Sequence, residues 1–427
     1  MKNKVFSTMI VVMMTTSLFA QQFGLSGELR PRYEYRHGYK KLASSDADAA
    51  NFISQRTRLN ADYSNEKFKV FLAIQNVRVW GDVSTLSKSD KNGITFHQAW
   101  GEYFFNEKFS VKLGRQEIAY DDQRIFGSVG WAQQARSHDA LLLKFKTGEK
   151  GKLHVGLALN AENETLFETD YTINQYKNLQ YLWYHTNFND AMGLSLLALD
   201  NGIQYHSYLN EDRKIAYSQT IGGRFTYKKD RFNADAASYF QTGDTPGGVD
   251  KVDLSAYYFT ANAKFKFTDH FTAGAGIEYL SGNDMSSSSS KDKAFKPFYG
   301  TNHKFNGWMD YFYVGSHMNS VGLVDISTPL IYKKDKFSAV LIPHFFSAEG
   351  NVLESDFKEA DSYLGTEIDL NLGYKLCKSV MFNVGYSHML ATDTMEILKG
   401  GSESETNNWL WMMITFKPNF FNKTFEK

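Results

Sequence analysis

The sequence has one cysteine, six prolines and, past its first twenty residues, no long apolar run. The lone Cys377 excludes an intrachain disulfide framework and any cysteine-rich zinc or iron–sulfur site. No later stretch approaches the roughly 18 apolar residues a membrane-crossing helix needs, so a helical membrane protein is excluded. Net charge is absent too, with 47 Lys+Arg against 47 Asp+Glu. Neutrality argues against nucleic-acid binding, which asks for a basic excess, and 15% aromatic residues argue against disorder. Arginine is missing beyond residue 231: all 12 arginines lie at or before it.

What is present begins with a leader. Lys2 and Lys4 precede the mostly apolar Val5–Met14, and Leu18-Phe19-Ala20 offers a cleavage site before Gln21. Residues 1–20 therefore read as a secretory signal, and residues 21–427 as one domain. An exported chain with a single cysteine fits an oxidising compartment that gives it no disulfide partner.

The next segment sets the period. Phe23, Leu25, Leu29, Tyr33 and Tyr35 alternate with Glu28, Arg30, Arg32, Glu34 and Arg36. This is a strand with one apolar and one charged face. Lys152–Glu162, Phe271–Tyr279, Leu364–Tyr374 and Val380–Tyr386 repeat the pattern. Short polar turns fall at Ser64–Lys67, Phe105–Lys108, Thr147–Lys152, Asn187–Asp190, Lys228–Asp230, Thr268–His270, Lys333–Lys336 and Lys375–Ser379. Longer polar stretches alternate with them, at 37–51, 81–93, 119–135, 163–176, 200–215, 243–253, 282–320, 349–361 and 391–407. Eight short and nine long connections make eighteen strands, with sixteen as the alternative. Short turns on one side and long loops on the other describe an all-β transmembrane antiparallel meander barrel of the outer membrane. Both termini then face the periplasm. Trp80, Trp100, Trp183, Trp308, Trp409 and Trp411, in or near strand ends, are expected to supply interfacial girdles.

A barrel this wide encloses an aqueous channel unless loops plug it, so function lies in the charges lining it. The polar strand faces carry Arg30, Arg32, Arg36, Arg56, Arg58 and Arg78, and a later strand carries Arg224. Arg115, Arg124 and Arg136 follow in or beside the third long loop. Nine arginines between residues 30 and 136 should form one arginine-rich wall, with Glu367 and Asp369 on the other. Lysines mostly fall in turns and loops. The guanidinium fork matches both oxygens of a carboxylate, and a ladder of such groups would pass an anionic chain from site to site. The bland reading is that the arginines cross-brace the lumen with Glu28, Glu34, Asp62, Glu367 and Asp369; both can hold at once.

The segment LGRQEIAYDDQRIF over Leu113–Phe126, followed by Gly130-Trp131 and Arg136-Ser137-His138-Asp139, strongly resembles the signature of the alginate-export (AlgE-like) outer-membrane porins. Gln55–Leu59, Val77–Gly81, Tyr279–Gly282 and His303–Asp310 resemble further pieces of it. The resemblance implies an 18-stranded monomeric barrel, an arginine-lined constriction, passage of an anionic polyuronate, and loops that act as gates. Arg115, Gln116, Asp122, Arg124 and Arg136 occupy its signature positions.

The leading expectation is thus a pore for an anionic polysaccharide, beside outer-membrane lipid and lipopolysaccharide and served by periplasmic export partners. The alternative is a general anion or nutrient-uptake porin for small acids or oligosaccharides. An enzyme is the weakest reading. Ser137, His138 and Asp139 are adjacent on a strand, so their side chains alternate faces and cannot form a triad. The 11 histidines show no close pair at ligand spacing, so neither a metal nor a cofactor is expected.

Overall fold

The computed structural model describes residues 21–425 apart from 174, 208–212, 288, 314–316 and 318–320. The expected leader lies outside the described residues. Twenty strand segments follow: β1(Gln21–His37), β2(Ala50–Ser64), β3(Phe68–Val79), β4(Thr95–Asn106), β5(Phe109–Gln116), β6(His138–Thr147), β7(Gly151–Leu159), β8(Asn178–Asn187), β9(Met192–His206) and β10(Arg213–Lys229). The second half adds β11(Phe232–Pro246), β12(Lys251–Lys266), β13(Phe271–Leu280), β14(Leu323–Ser327), β15(Leu330–Lys334), β16(Phe337–Ser347), β17(Tyr363–Cys377), β18(Val380–Ala391), β19(Asn407–Phe416) and β20(Asn419–Phe425).

Apart from two split strands, each pairs antiparallel with its neighbours in sequence, and β1 pairs with both β2 and β19 to close the barrel. Two strands are each split in two. β14 and β15 both lie between β13 and β16, and β19 and β20 both lie along β1. Each split falls at a proline, Pro329 or Pro418, which has no N–H to give the ladder. Their carbonyls still accept, from Gly274 at 2.9 Å and Gly27 at 3.0 Å. Eighteen strands therefore cross the membrane, as the alternation of turns and loops predicts.

All eight short turns fall where expected. Two long connections are shorter than expected, because β9–β10 and β11–β12 keep pairing past residues 200 and 243. Along β1 the alternation sorts as predicted, with Glu28, Arg30, Arg32 and Glu34 buried inside and Leu29 exposed outside. The tryptophan girdle is corrected. Of the six tryptophans, Trp80 is exposed, whereas Trp183, Trp409 and Trp411 are buried against the filled lumen. The ring contacts near the short turns come from Tyr63–Phe68, Tyr103–Phe105–Phe109–Phe145, Phe265–Phe267–Phe271 and Tyr332–Phe337. Rings with a bulky apolar body suit the interface; the indoles are drawn inward because two loops fill the barrel and bury them.

Candidate functional site

The loop 117–137, between β5 and β6, folds into the lumen and is fixed at both walls. On one side Tyr120 stacks on Trp183 of β8 at 4.4 Å, and the Trp183 indole donates to Asp121 at 3.0 Å. On the other side the β1–β2 arginines grip its backbone. Arg30 donates to the carbonyls of Gly130, Trp131 and Ala132 at 2.8–3.2 Å and to the Gln133 side chain. Arg32 donates to Trp131 O at 2.8 Å, and Arg56 to Gln133 O at 3.2 Å. Glu28 and Glu34 neutralise these cations from the same wall, Arg56 Nε at 3.0 Å and Arg32 Nε at 2.8 Å. A guanidinium has five donors, so each can serve a carboxylate and several carbonyls together.

The loop 281–322, between β13 and β14, fills the opposite sector and uses the opposite charge. Glu367 accepts the Met309 N–H at 2.8 Å and Asp369 the Trp308 N–H at 3.1 Å. Asn306 donates to Glu278 at 2.8 Å and Asp325 at 3.2 Å. Gly307 makes the approach possible: its φ is +80°, and a Cβ there would sit 2.6 Å from a Glu367 oxygen. Within this strap the Asp310 carboxyl is buried, which works to raise its pKa. The His303 ring at 2.8 Å and the Tyr39 hydroxyl outweigh burial and hold it below the usual 3.8.

The two loops also join each other. Gly127 N donates to Tyr299 O and Thr301 N to Gln123 O, both at 2.8 Å. Arg124 crosses between them, reaching Asn306 at 2.8 Å, Asn302 at 3.3 Å and Glu278 at 3.2 Å. Arg136 donates to Gly300 O at 3.1 Å. Thus Arg124 and Arg136, expected near the channel, clamp the loops together.

The remaining expected residues separate. Asp122 pairs with Arg224, which also binds Asp235 at 2.8 Å. Gln116 is fully buried and donates to Ala140 O at 2.8 Å. Arg36 is bonded to Glu34 at 2.7 Å and stacks over Tyr39 at 4.1 Å. Among the described residues Arg58 hydrogen-bonds only the neutral Gln75 side chain, at 2.7 and 3.2 Å. Arg78 and Arg115 leave the strands on the other face. Arg78 pairs with Gln55, out of phase with Arg56 and Arg58, and binds Asp90. Arg115 is in phase with the exposed Leu113 and binds the exposed Asp139 at 2.8 Å.

Reading the sequence missed the strap residues Asn306 and Gly307 as lumen groups, although both lie inside the quoted His303–Asp310 stretch. It also missed a relay: Ser137 Oγ lies 3.0 Å from His97 Nδ1, and His97 Nε2 lies 2.7 Å from Glu117. The Ser137 hydroxyl also bonds the His97 carbonyl oxygen, so its proton is directed away from the imidazole. The relay ties the two ends of loop 117–137 to β4 rather than arming a nucleophile.

The alginate-export family profile matches residues 21–316. The chain belongs to the alginate-export family. No curated protein sequence matches it. Among solved structures it is similar to a BenF-like porin from Pseudomonas fluorescens, at 12% identity over 93% of this chain and 99% of that one, with TM-score 0.60. It is also similar to OccAB4 of Acinetobacter baumannii, at 11% identity over 95% and 99%, TM-score 0.62. OccK2 of Pseudomonas aeruginosa, solved in complex with glucuronate, matches at 11% over 93% and 98%, TM-score 0.59. At these identities the likeness is one of fold. Family and fold are those of an outer-membrane transport porin.

In this alginate-export barrel, loop 117–137 forms the floor of a vestibule of about 500 Å³ on the long-loop side, where Arg32, Arg36, Lys40, Trp131 and Tyr313 are among the lining groups. Its cations lie over rings: Arg32 over Trp131 at 4.1 Å and Lys40 over Tyr313 at 5.0 Å. Such a site offers charge to a carboxylate and a flat apolar surface to a sugar ring.

Proposed function

We propose that this barrel is a non-catalytic pore for an anionic saccharide, an alginate-like polyuronate, gated by its two in-folded loops. The observation that carries this reading is the wall of β1 and β2. Arg30, Arg32 and Arg56 hold the loop floor, and Arg36, Lys40 and Arg58 place cations above and beside it. Membership of the alginate-export family agrees with it. The expected result is a reconstituted channel that favours anions and is blocked by oligouronates. Arg58→Ala should weaken that block roughly ten-fold, the effect of one charge-assisted hydrogen bond of about 1.5 kcal/mol. A cation-selective channel would sink the reading.

A second reading, a small-acid uptake porin, is favoured by how fully the loops fill the lumen and by the glucuronate complex of a porin of like fold. Under that reading monomeric uronates permeate while longer oligomers neither pass nor block. Measuring block against oligomer length separates the two.

A further inference from the structure

Between the two loops one sector of the wall is covered only at its upper end, where Gln75, His97, His138 and Ala140 are buried, and stays clear toward the short turns around Lys69, Lys112 and Lys144. Loop 117–137 binds β1 and β2 with residues 130–133 and β8 with residues 120–121. Loop 281–322 covers β11 through the bond from Gln241 to Lys296 O, and β13–β17 through Asn306, Trp308 and Met309. Beyond the Gln75 bond to Gln134 O, the bond between Tyr176 and His138 at the upper end of β6 (2.8 Å) and the base of loop 117–137 itself, no loop hydrogen bond reaches the inner face of β3–β6 among the described residues.

That face is basic. The register puts Lys69 opposite Glu102, Glu102 opposite Lys112, Ser110 opposite Lys144, and Lys146 opposite Lys152. Among the described residues two carboxylates stand among these cations, and both are occupied. Glu102 is occupied by Lys144 at 2.7 Å and Ser110 at 2.7 Å, and Glu117 takes His97. The Lys144 and Glu117 side chains are 32% and 31% exposed although both face the barrel interior, so water reaches this sector.

Lys112 stands apart. No carboxylate of the described residues lies within salt-bridge distance of it. Its ammonium instead rests 3.9 Å from the centre of the Trp100 ring. Trp100 is fixed from behind by stacking on Phe71 at 5.5 Å and by donating to Gln98 at 3.1 Å.

We propose that the β3–β6 sector is the conducting lane, and that Lys112 on its Trp100 rest receives the carboxylate of an acidic sugar below the constriction. The proposal rests on the anionic-saccharide reading above and adds its route and its second station. Arg30, Arg32 and Arg56 are spent on the loop, whereas Lys112 has a partner it can leave. A ring holds an ammonium less tightly than a carboxylate does, so the lysine can swing to a passing anion and return. Weak, repeated holding of this kind lets a permeant enter and still leave. Trp100 is a positioning residue here.

Cysteine accessibility tests the lane directly, because Cys377 is the only native thiol and is exposed at a short turn. In a Cys377→Ser background, Lys112→Cys treated with a negatively charged thiosulfonate should lose current and reverse its ion preference. Ala256→Cys, fully buried on the inner face of β12, should remain unmodified. Lys112→Gln should weaken oligouronate block about ten-fold, and Trp100→Leu should do so less. Heat-modifiable gel migration verifies that each barrel is folded. Labelling of Lys112→Cys with no change in current, or unchanged block in Lys112→Gln, would overturn the proposal. A native channel that prefers cations would instead overturn the saccharide reading, while the labelling still reports whether the lane is open.

Discussion

Replacing Arg30 and Arg56 together by alanine is expected to raise single-channel conductance several-fold. These two guanidinia make seven of the bonds that hold residues 130–133 against β1 and β2, at 2.8–3.4 Å. Hydrogen bonds to charged groups contribute roughly 1.5–3 kcal/mol each, and even partial additivity removes several kcal/mol. A change of about 5.5 kcal/mol carries a two-state loop from 1:99 to 99:1. The variant also leaves Glu28 with only Lys417, at 3.3 Å, which draws water to the wall and opposes redocking. Lysine at both positions keeps the charge and loses the fork, so those variants should lie between. Conductance equal to that of the native channel, in a barrel shown to be folded, would mean the floor is held by something other than these arginines.

Gly307→Val is expected to open the other half of the plug and to weaken the barrel. Two causes act together. A β-branched residue at φ +80° is strained by about 1–3 kcal/mol, and its Cβ would overlap the Glu367 carboxylate. Relief comes by lifting the strap from Glu367 and Asp369, which are otherwise fully buried. Uncovered, those two acids would face the lumen and bias it toward cations. Gly307→Val should therefore combine higher conductance with a lower anion preference and unfolding at lower temperature. Glu367→Gln, which keeps an acceptor for Met309 N, should perturb conductance less. Unchanged ion preference in Gly307→Val would show that these carboxylates do not face the conducting path.

Turn positions were legible because a membrane strand must alternate and a two- to four-residue polar turn interrupts it. The loop ends at 200 and 243 were not, since above the membrane both strand faces are wet and pairing continues without an alternating signal. The outward placement of Arg115 was legible in principle: it shares parity with Val111 and Leu113. Arg78 likewise shares parity with Leu72 and Ile74. Density of arginine in the sequence outweighed phase, and phase decides the face. The work of Arg30 and Arg56 was hidden for another reason. Their acceptors are backbone carbonyls 100 and 77 residues away, and a carbonyl carries no residue identity. Lys112 was hidden because its partner is the absence of an acid, visible only once the register is known.

The closure of the barrel has a consequence for the order of assembly. The seam pairs Arg32 with Met413, nearly the two ends of the chain. Joining such distant segments costs more loop entropy than any hairpin, and long-range pairing is slow. The in-folded loops supply intermediate steps. Arg30 meets Gly130 across 100 residues, and Tyr311 meets Gly38 across 273. Each contact shortens the remaining search before β1 meets β19. The same segments that narrow the passage in the finished barrel can thus act as its internal former, drawing the first strand toward the last.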